Sequence, residues 1–128
     1  MTEADPAAVV RRFFEALSRG DPGELMHDEI VYAEDPKWPG SDVYRGREAV
    51  AACWASYEEV LGSETRVSIV EVRRAGDQVV AVVEVAGRSR ETGIPFDHTW
   101  GYVCRTEGER LSYFRAYLDP AEAAADAA

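Results

Sequence analysis

Residues 64–118, ETRVSIVEVRRAGDQVVAVVEVAGRSRETGIPFDHTWGYVCRTEGERLSYFRAYL, decide the architecture. Four stretches rich in β-branched and aromatic residues run at about Glu64–Arg74, Gln78–Arg88, Phe96–Thr106 and Arg110–Leu118. Between them stand Ala75-Gly76-Asp77, the loop SRETGIP and Glu107-Gly108-Glu109. Turn-forming clusters between such runs predict consecutive antiparallel strands. Upstream, Asp5-Pro6 reads as an N-cap with proline at the first helical position, and Val10, Phe13, Phe14 and Leu17 recur at helical spacing, giving a helix over about Pro6–Arg19. Asp21-Pro22-Gly23-Glu24 repeats the cap and predicts a short second helix through about His27. A strand over Glu29–Glu34 and a loop, DPKWPGSDVYR, lead to a third helix after Gly46, with Val50, Cys53, Trp54, Tyr57 and Leu61 on one face and an end near Gly62. Asp119-Pro120-Ala121-Glu122 caps an alanine-rich terminal helix, read as one that frays. Helices first and a four-stranded meander afterwards is the α+β pattern, and such a sheet, if curved around its helices, encloses a site for a small molecule.

The 128 residues suffice for one domain spanning 1–128, and 46% hydrophobic residues suffice for its core. A net charge of −10 supplies no basic field for phosphates or anionic lipids, so no nucleic acid and no membrane is expected as a partner. The longest apolar runs are about five residues, such as Val79–Val83, and the start MTEADPAAVV has neither a basic segment nor an apolar stretch after it. A cytoplasmic location is the expectation. Cys53 and Cys104 have no metal-ligand spacing and read as small buried apolar residues.

Candidate chemistry gathers on a few residues. Period-two alternation puts Phe96, His98, Trp100, Tyr102 and Cys104 on one side of a strand, the more apolar side, which should face the helices. His98 is then either a core or rim histidine or a proton-transfer group. On the last strand Tyr113, Arg115, Tyr117 and Asp119 oppose Phe114, Ala116 and Leu118, and the pattern leaves open which face looks inward. Asp35 ends a strand before Pro36 and beside Trp38; it is either a turn cap or a desolvated general base. Asp28, Glu29 and Glu34 read as solvated. Phosphate-binding glycine loops, the GxSxG elbow and HExxH are absent from the sequence, which leaves cofactor-free chemistry or plain binding, with no metal.

The segments VVRRFFEALSRGD, YAEDPKWPGSDVYRGREAVAACW, VVAVVEVAGR and TWGYVCRTEGERLSYFRAYLDPAEA, in this order and spacing, resemble the nuclear transport factor 2-like superfamily, in particular its SnoaL-like and ketosteroid-isomerase-like members. The resemblance implies a cone of curved antiparallel sheet packed on three helices in the N-terminal half, a deep pocket, and a homodimer through the outer sheet face. It implies no cofactor and a hydrophobic partner of polyketide, steroid or terpenoid type, handled by an isomerase, cyclase or dehydratase acting by proton transfer. A non-catalytic dimeric binding protein of the same fold is the alternative. In the isomerases the general-base Asp stands in an EDP motif, matched here by Glu34-Asp35-Pro36, while the two oxyanion donors fall at Phe13 and Tyr102. Related dehydratases and cyclases use an Asp–His pair, to which Asp35 and His98 are similar. The catalytic set that follows is Asp35, His98 and Tyr102, with Phe13, Tyr32, Trp38, Trp54, Tyr57, Trp100, Arg115 and Tyr117 lining the pocket.

Overall fold

The computed structural model describes residues 5–19, 22–61 and 65–127. The Asp5 side chain accepts from the Ala7 N–H and Pro6 opens helix α1, Pro6–Ser18, which buries Val9, Val10, Phe13, Phe14 and Ala16. A single 3₁₀ turn, Gly23–Leu25, replaces the expected second helix, whose capping Asp21 lies outside the described residues. The reason lies in the next element: β1, Met26–Ala33, begins earlier than the pattern suggests because Met26 already pairs with Leu111. The expected loop over 35–45 returns on itself, and its last residues form β2, Val43–Arg45, antiparallel to Val31–Ala33. Gly46 then turns the chain at φ 91°, a conformation that favours glycine, and its N–H reaches the Ile30 carbonyl at 2.7 Å. Helix α2 follows at Arg47–Leu61; the predicted stop near Gly62 and strand start at Glu64 lie outside the described residues.

Strands β3 (Arg66–Ala75), β4 (Gln78–Arg88), β5 (Pro95–Glu107) and β6 (Arg110–Tyr117) form the predicted antiparallel run. The sheet is larger than a meander. It has six strands in the order β2-β1-β6-β5-β4-β3, curved and mixed, with β1 parallel to β6. Helices α1 and α2 cover its inner face, α1 mainly against β3 and α2 against β1 and β2. The main core between them holds Phe13, Phe14, Ile30, Tyr32, Val50, Tyr102, Cys104 and Phe114. Both thiols are buried and free.

Helix α3, Pro120–Ala127, docks rather than frays, and it docks on the outer face, where Ala123 and Ala127 pack against Val80, Val103 and Tyr117. Two of the three helices therefore lie in the N-terminal half and the third closes the chain. Its approach is permitted by Gly101: a Cβ there would stand 2.7 Å from Pro120 Cα and 2.8 Å from Ala123 Cβ. Gly101→Val is expected to cost about 1–3 kcal/mol in urea unfolding, the range for forcing methyl groups into a packed contact. Loss of the Ala123 methyl contacts in NMR spectra would accompany it; an unchanged unfolding midpoint would contradict this account of the docking.

Candidate functional site

The pleat of β1 sorts two neighbouring acids onto opposite sides of the sheet. Tyr32 pairs with Phe114 and shares the inner face with Ile30, whereas Val31 and Ala33 pair with Tyr113 and Arg115 on the outer face. Continuing the alternation, Glu34 points inward and Asp35 outward. Glu34 is held in extended register by its own N–H, which reaches the Asp42 carbonyl at 3.1 Å, and only 9% of it is exposed. This burial corrects the sequence-based expectation of a solvated acid.

Three donors converge on the Glu34 side chain. Oε2 accepts from the Tyr57 hydroxyl, and Oε1 accepts from the Asp42 N–H at 3.1 Å and the Tyr44 hydroxyl at 3.3 Å. The Tyr32 and Tyr57 hydroxyl oxygens are 3.3 Å apart. Since a phenol has one proton and that of Tyr57 goes to the carboxylate, Tyr32 is the donor in this pair, giving a chain Tyr32 to Tyr57 to Glu34. Burial raises all three phenols, Tyr44 to about 12 and Tyr32 and Tyr57 further, so each remains a protonated donor at neutral pH. Burial raises the neighbouring Cys53 thiol as well, which leaves it an inert lining group.

The walls of this cluster are rings. Tyr32 stacks on Phe114 at 4.4 Å, on Trp54 at 5.6 Å and on Tyr44 at 6.2 Å, and Tyr57 stands edge-on to Trp54 at 5.2 Å. The Trp54 Nε1 is buried with no hydrogen-bond partner among the described residues. Behind Trp54 a largely apolar groove of about 310 Å³ opens between Leu17, Met26, Ala51, Ala55 and Glu58. Among the described residues no group of three or more His, Cys, Asp or Glu is placed to hold a metal ion.

Of the residues singled out from the sequence, the structure brings Tyr32, Trp54 and Tyr57 together around Glu34. Phe13 is sealed in the core against Phe14 and Phe114. Tyr102 lies on the inner face, its ring 5.0 Å from Phe14 and its hydroxyl raised by burial. Trp100 packs edge-on against both His98 and Trp38, the latter 42% exposed, at the rim of the sheet. Arg115 and Tyr117 are corrected: they face outward, the Arg115 guanidinium 5.0 Å over the Tyr117 ring and the Tyr117 hydroxyl donating to Asp126 of α3. Both faces of β6 carry large side chains, so only the docking of α3 reveals which is which.

Asp35 and His98 meet on one residue, Leu118. Asp35 Oδ2 accepts from the Leu118 N–H at 2.8 Å and Oδ1 from the Lys37 N–H at 2.9 Å. The exposed His98 Nε2 lies 2.9 Å from the Leu118 carbonyl, an acceptor, so this nitrogen carries the hydrogen. Burial of Asp35, which is 3% exposed, would push its carboxyl up, but the Leu118 and Lys37 N–H donors, aided by the Lys37 and Arg115 charges, hold it below the ordinary 3.8. A carboxylate with both oxygens committed to fixed backbone donors and a lowered affinity for protons matches the turn-cap alternative, in which Asp35 acts as a clamp. The two residues missed by sequence reasoning are Glu34 and Tyr44. The signal for Glu34 was present in the alternation Ile30, Tyr32, Glu34; Tyr44 sat in a segment read as loop.

A family model described as "SnoaL-like domain" matches residues 10–114. The chain belongs to this family. No protein of curated function matches the sequence. Solved structures similar to this SnoaL-like chain include an NTF2-like protein from Burkholderia thailandensis, 22% identical over 97% of this chain and 98% of that one, with a TM-score of 0.78. Another is a hypothetical protein with a ketosteroid isomerase-like fold from Catenulispora acidiphila, in complex with trimethylamine, 21% identical over 88% and 86% of the two chains, TM-score 0.74. A third is a putative isomerase from Bacillus subtilis, 23% identical over 88% and 84%, TM-score 0.72. At these identities the neighbours establish the NTF2-like fold of the SnoaL-like chain.

Asp35→Asn is expected to lower stability by about 1.5–3 kcal/mol at neutral pH, the range for hydrogen bonds to a charged group, because an amide presents a donor to one of two N–H groups. The native carboxyl value lies below the unfolded one. The wild type's advantage is therefore full above the unfolded value and is lost as pH falls through the native one. Urea unfolding of both proteins from neutral to acid pH measures it, and an advantage independent of pH would refute the clamp.

Proposed function

We propose that the inner face binds a hydrophobic small molecule against the Tyr32–Trp54 rings and that Glu34 moves a proton on it without a cofactor, in an isomerase- or lyase-type reaction. The observation that carries this reading is a buried carboxylate joined to protonated phenols inside an aromatic wall. Glu34 takes the base role that the resemblance implied for Asp35. As Glu34 accepts a proton from a carbon beside a carbonyl, the C–H electron pair passes into an enolate oxygen, which needs a hydrogen-bond donor. Protonating Glu34 weakens its hold on the Tyr57 proton, which frees that hydroxyl to donate, with Tyr102 as a second donor on the same face. One neighbour of the fold is a complex with trimethylamine, so small-molecule binding has a precedent there.

The second reading, a binding protein without turnover, is supported by the largely apolar groove of about 310 Å³ beside Trp54, which opens outside the interior filled by Phe13, Phe14 and Phe114. Among the described residues no helix is long and apolar enough to cross a membrane. A cytoplasmic location belongs to the same proposal, as does a homodimer through the part of the outer face that α3 leaves open, near the 63% exposed Val70.

Exchange of the α-protons of 2-tetralone in D2O, followed by NMR, separates the readings. Proton transfer predicts that wild type accelerates exchange, that Glu34→Gln loses about 10²-fold or more, the usual scale of a general base, and that Asp35→Asn retains it once its lower stability is allowed for. Retention by Glu34→Gln with loss in Asp35→Asn would overturn the assignment. Binding of 2-tetralone without exchange would select the second reading.

A further inference from the structure

Resting on the ligand site just proposed, we infer that its ligand carries a positive charge: the inner face is built for a hydrophobic ammonium, a protonated tertiary amine or a quaternary nitrogen. The argument begins with charge. Glu34 faces three donors, and no acceptor is described for a proton of its own, the partner set of a carboxylate rather than of a carboxylic acid. Yet no cation of the described residues stands within ion-pair distance of it. The cations nearby in sequence or in strand pairing are committed elsewhere. Lys37 pairs with Glu122 of α3, Arg47 with Asp28 at 3.2 Å, and Arg115 lies over Tyr117 on the outer face. Arg45 pairs with Val31 in the register and so shares the outer face. A carboxylate that is nine-tenths buried and lacks a counter-charge is an expensive arrangement, and phenol dipoles lessen the cost without cancelling the charge.

The surroundings say what would cancel it. The acid is met by the Tyr44 and Tyr57 hydroxyls, and beside it the rings of Tyr32, Tyr44, Trp54 and Tyr57 pack on one another, rings whose faces carry partial negative charge. Tyr44, Trp54 and Tyr57 are each half-buried, so the wall is reachable from solvent. Ring faces and one carboxylate are the elements that recognise an alkylammonium, whose bulk is apolar and whose charge is diffuse. The chain's net charge of −10 draws such a ligand in from solution.

Tryptophan fluorescence titration of the full chain with benzyltrimethylammonium and with its uncharged carbon isostere, neopentylbenzene, tests the inference. The expected result is at least a tenfold tighter binding of the cation, about 1.4 kcal/mol, at low salt. The wild-type comparison decides the matter without reference to whether a variant folds. Glu34→Gln, shown folded by circular dichroism, should reduce the preference to within about twofold while still binding the neutral isostere. Equal binding of the two probes, or tighter binding of the neutral one, would overturn the charge inference and leave the hydrophobic site standing. Binding of neither would remove both the inference and the site on which it rests.

Discussion

Tyr32 and Phe114 lie face against face with 4.4 Å between their ring centres, and the inner side of the protein is arranged outward from that contact. It exists because β1 runs parallel to β6 with these two residues in register. Once the pair is set, β2 brings Tyr44 opposite Tyr32, and α2 must lay Trp54 nearly parallel to Phe114 and set Tyr57 at right angles to Trp54. Glu34, two residues beyond Tyr32, can then only fall among phenols. Slipping the β1–β6 pairing by one residue would send Tyr32 and Glu34 outward and bring Asp35 in, so the identity of the inner acid is a matter of register.

The two acids of the Glu34-Asp35 pair show how differently a buried carboxylate can be satisfied. Asp35 is met by backbone N–H groups, which cannot leave without unmaking the turn at Pro36 and the end of β6. Its role is to fasten the aromatic loop to the root of α3, a task shared by His98 from the other side of Leu118. Glu34 is met by one backbone N–H, from Asp42, and by two hydroxyls on β2 and α2, each able to turn about its C–O bond. Donors that can turn are the ones chemistry can use. The fixed set serves architecture, and the turning set is the one on which the proposed ligand site rests.

Much of this was legible in the residues. The period of α1, its Asp5-Pro6 start, the α2 face and the four long strands followed from spacing, because each repeats one local rule over many residues. What escaped reading depended on partners distant in sequence. The short segment Gly23–Leu25 is not a helix because Leu111 claims Met26 for a strand, and Val43–Arg45 becomes a strand only because β1 would otherwise have a free edge. The inward face of β6 was undecidable while Phe114 and Tyr117 both looked suited to a core. The EDP motif directed attention to Asp35, although simple alternation from Ile30 and Tyr32 already assigned the inward place to Glu34.

The joint between Asp35 and Leu118 links positions 83 residues apart. A growing chain emerging from the ribosome therefore makes α1, β1 and α2 long before the strand that completes them exists. Until β6 is synthesised, Tyr32 has no Phe114 to cover it and one edge of β1 has no partner, which leaves apolar rings and free peptide groups in view of other chains. Topology of this kind also slows folding, since a long loop must close before its contacts repay the entropy. The structure that houses the inner acid so firmly is, for the same reason, one whose birth is its most vulnerable period.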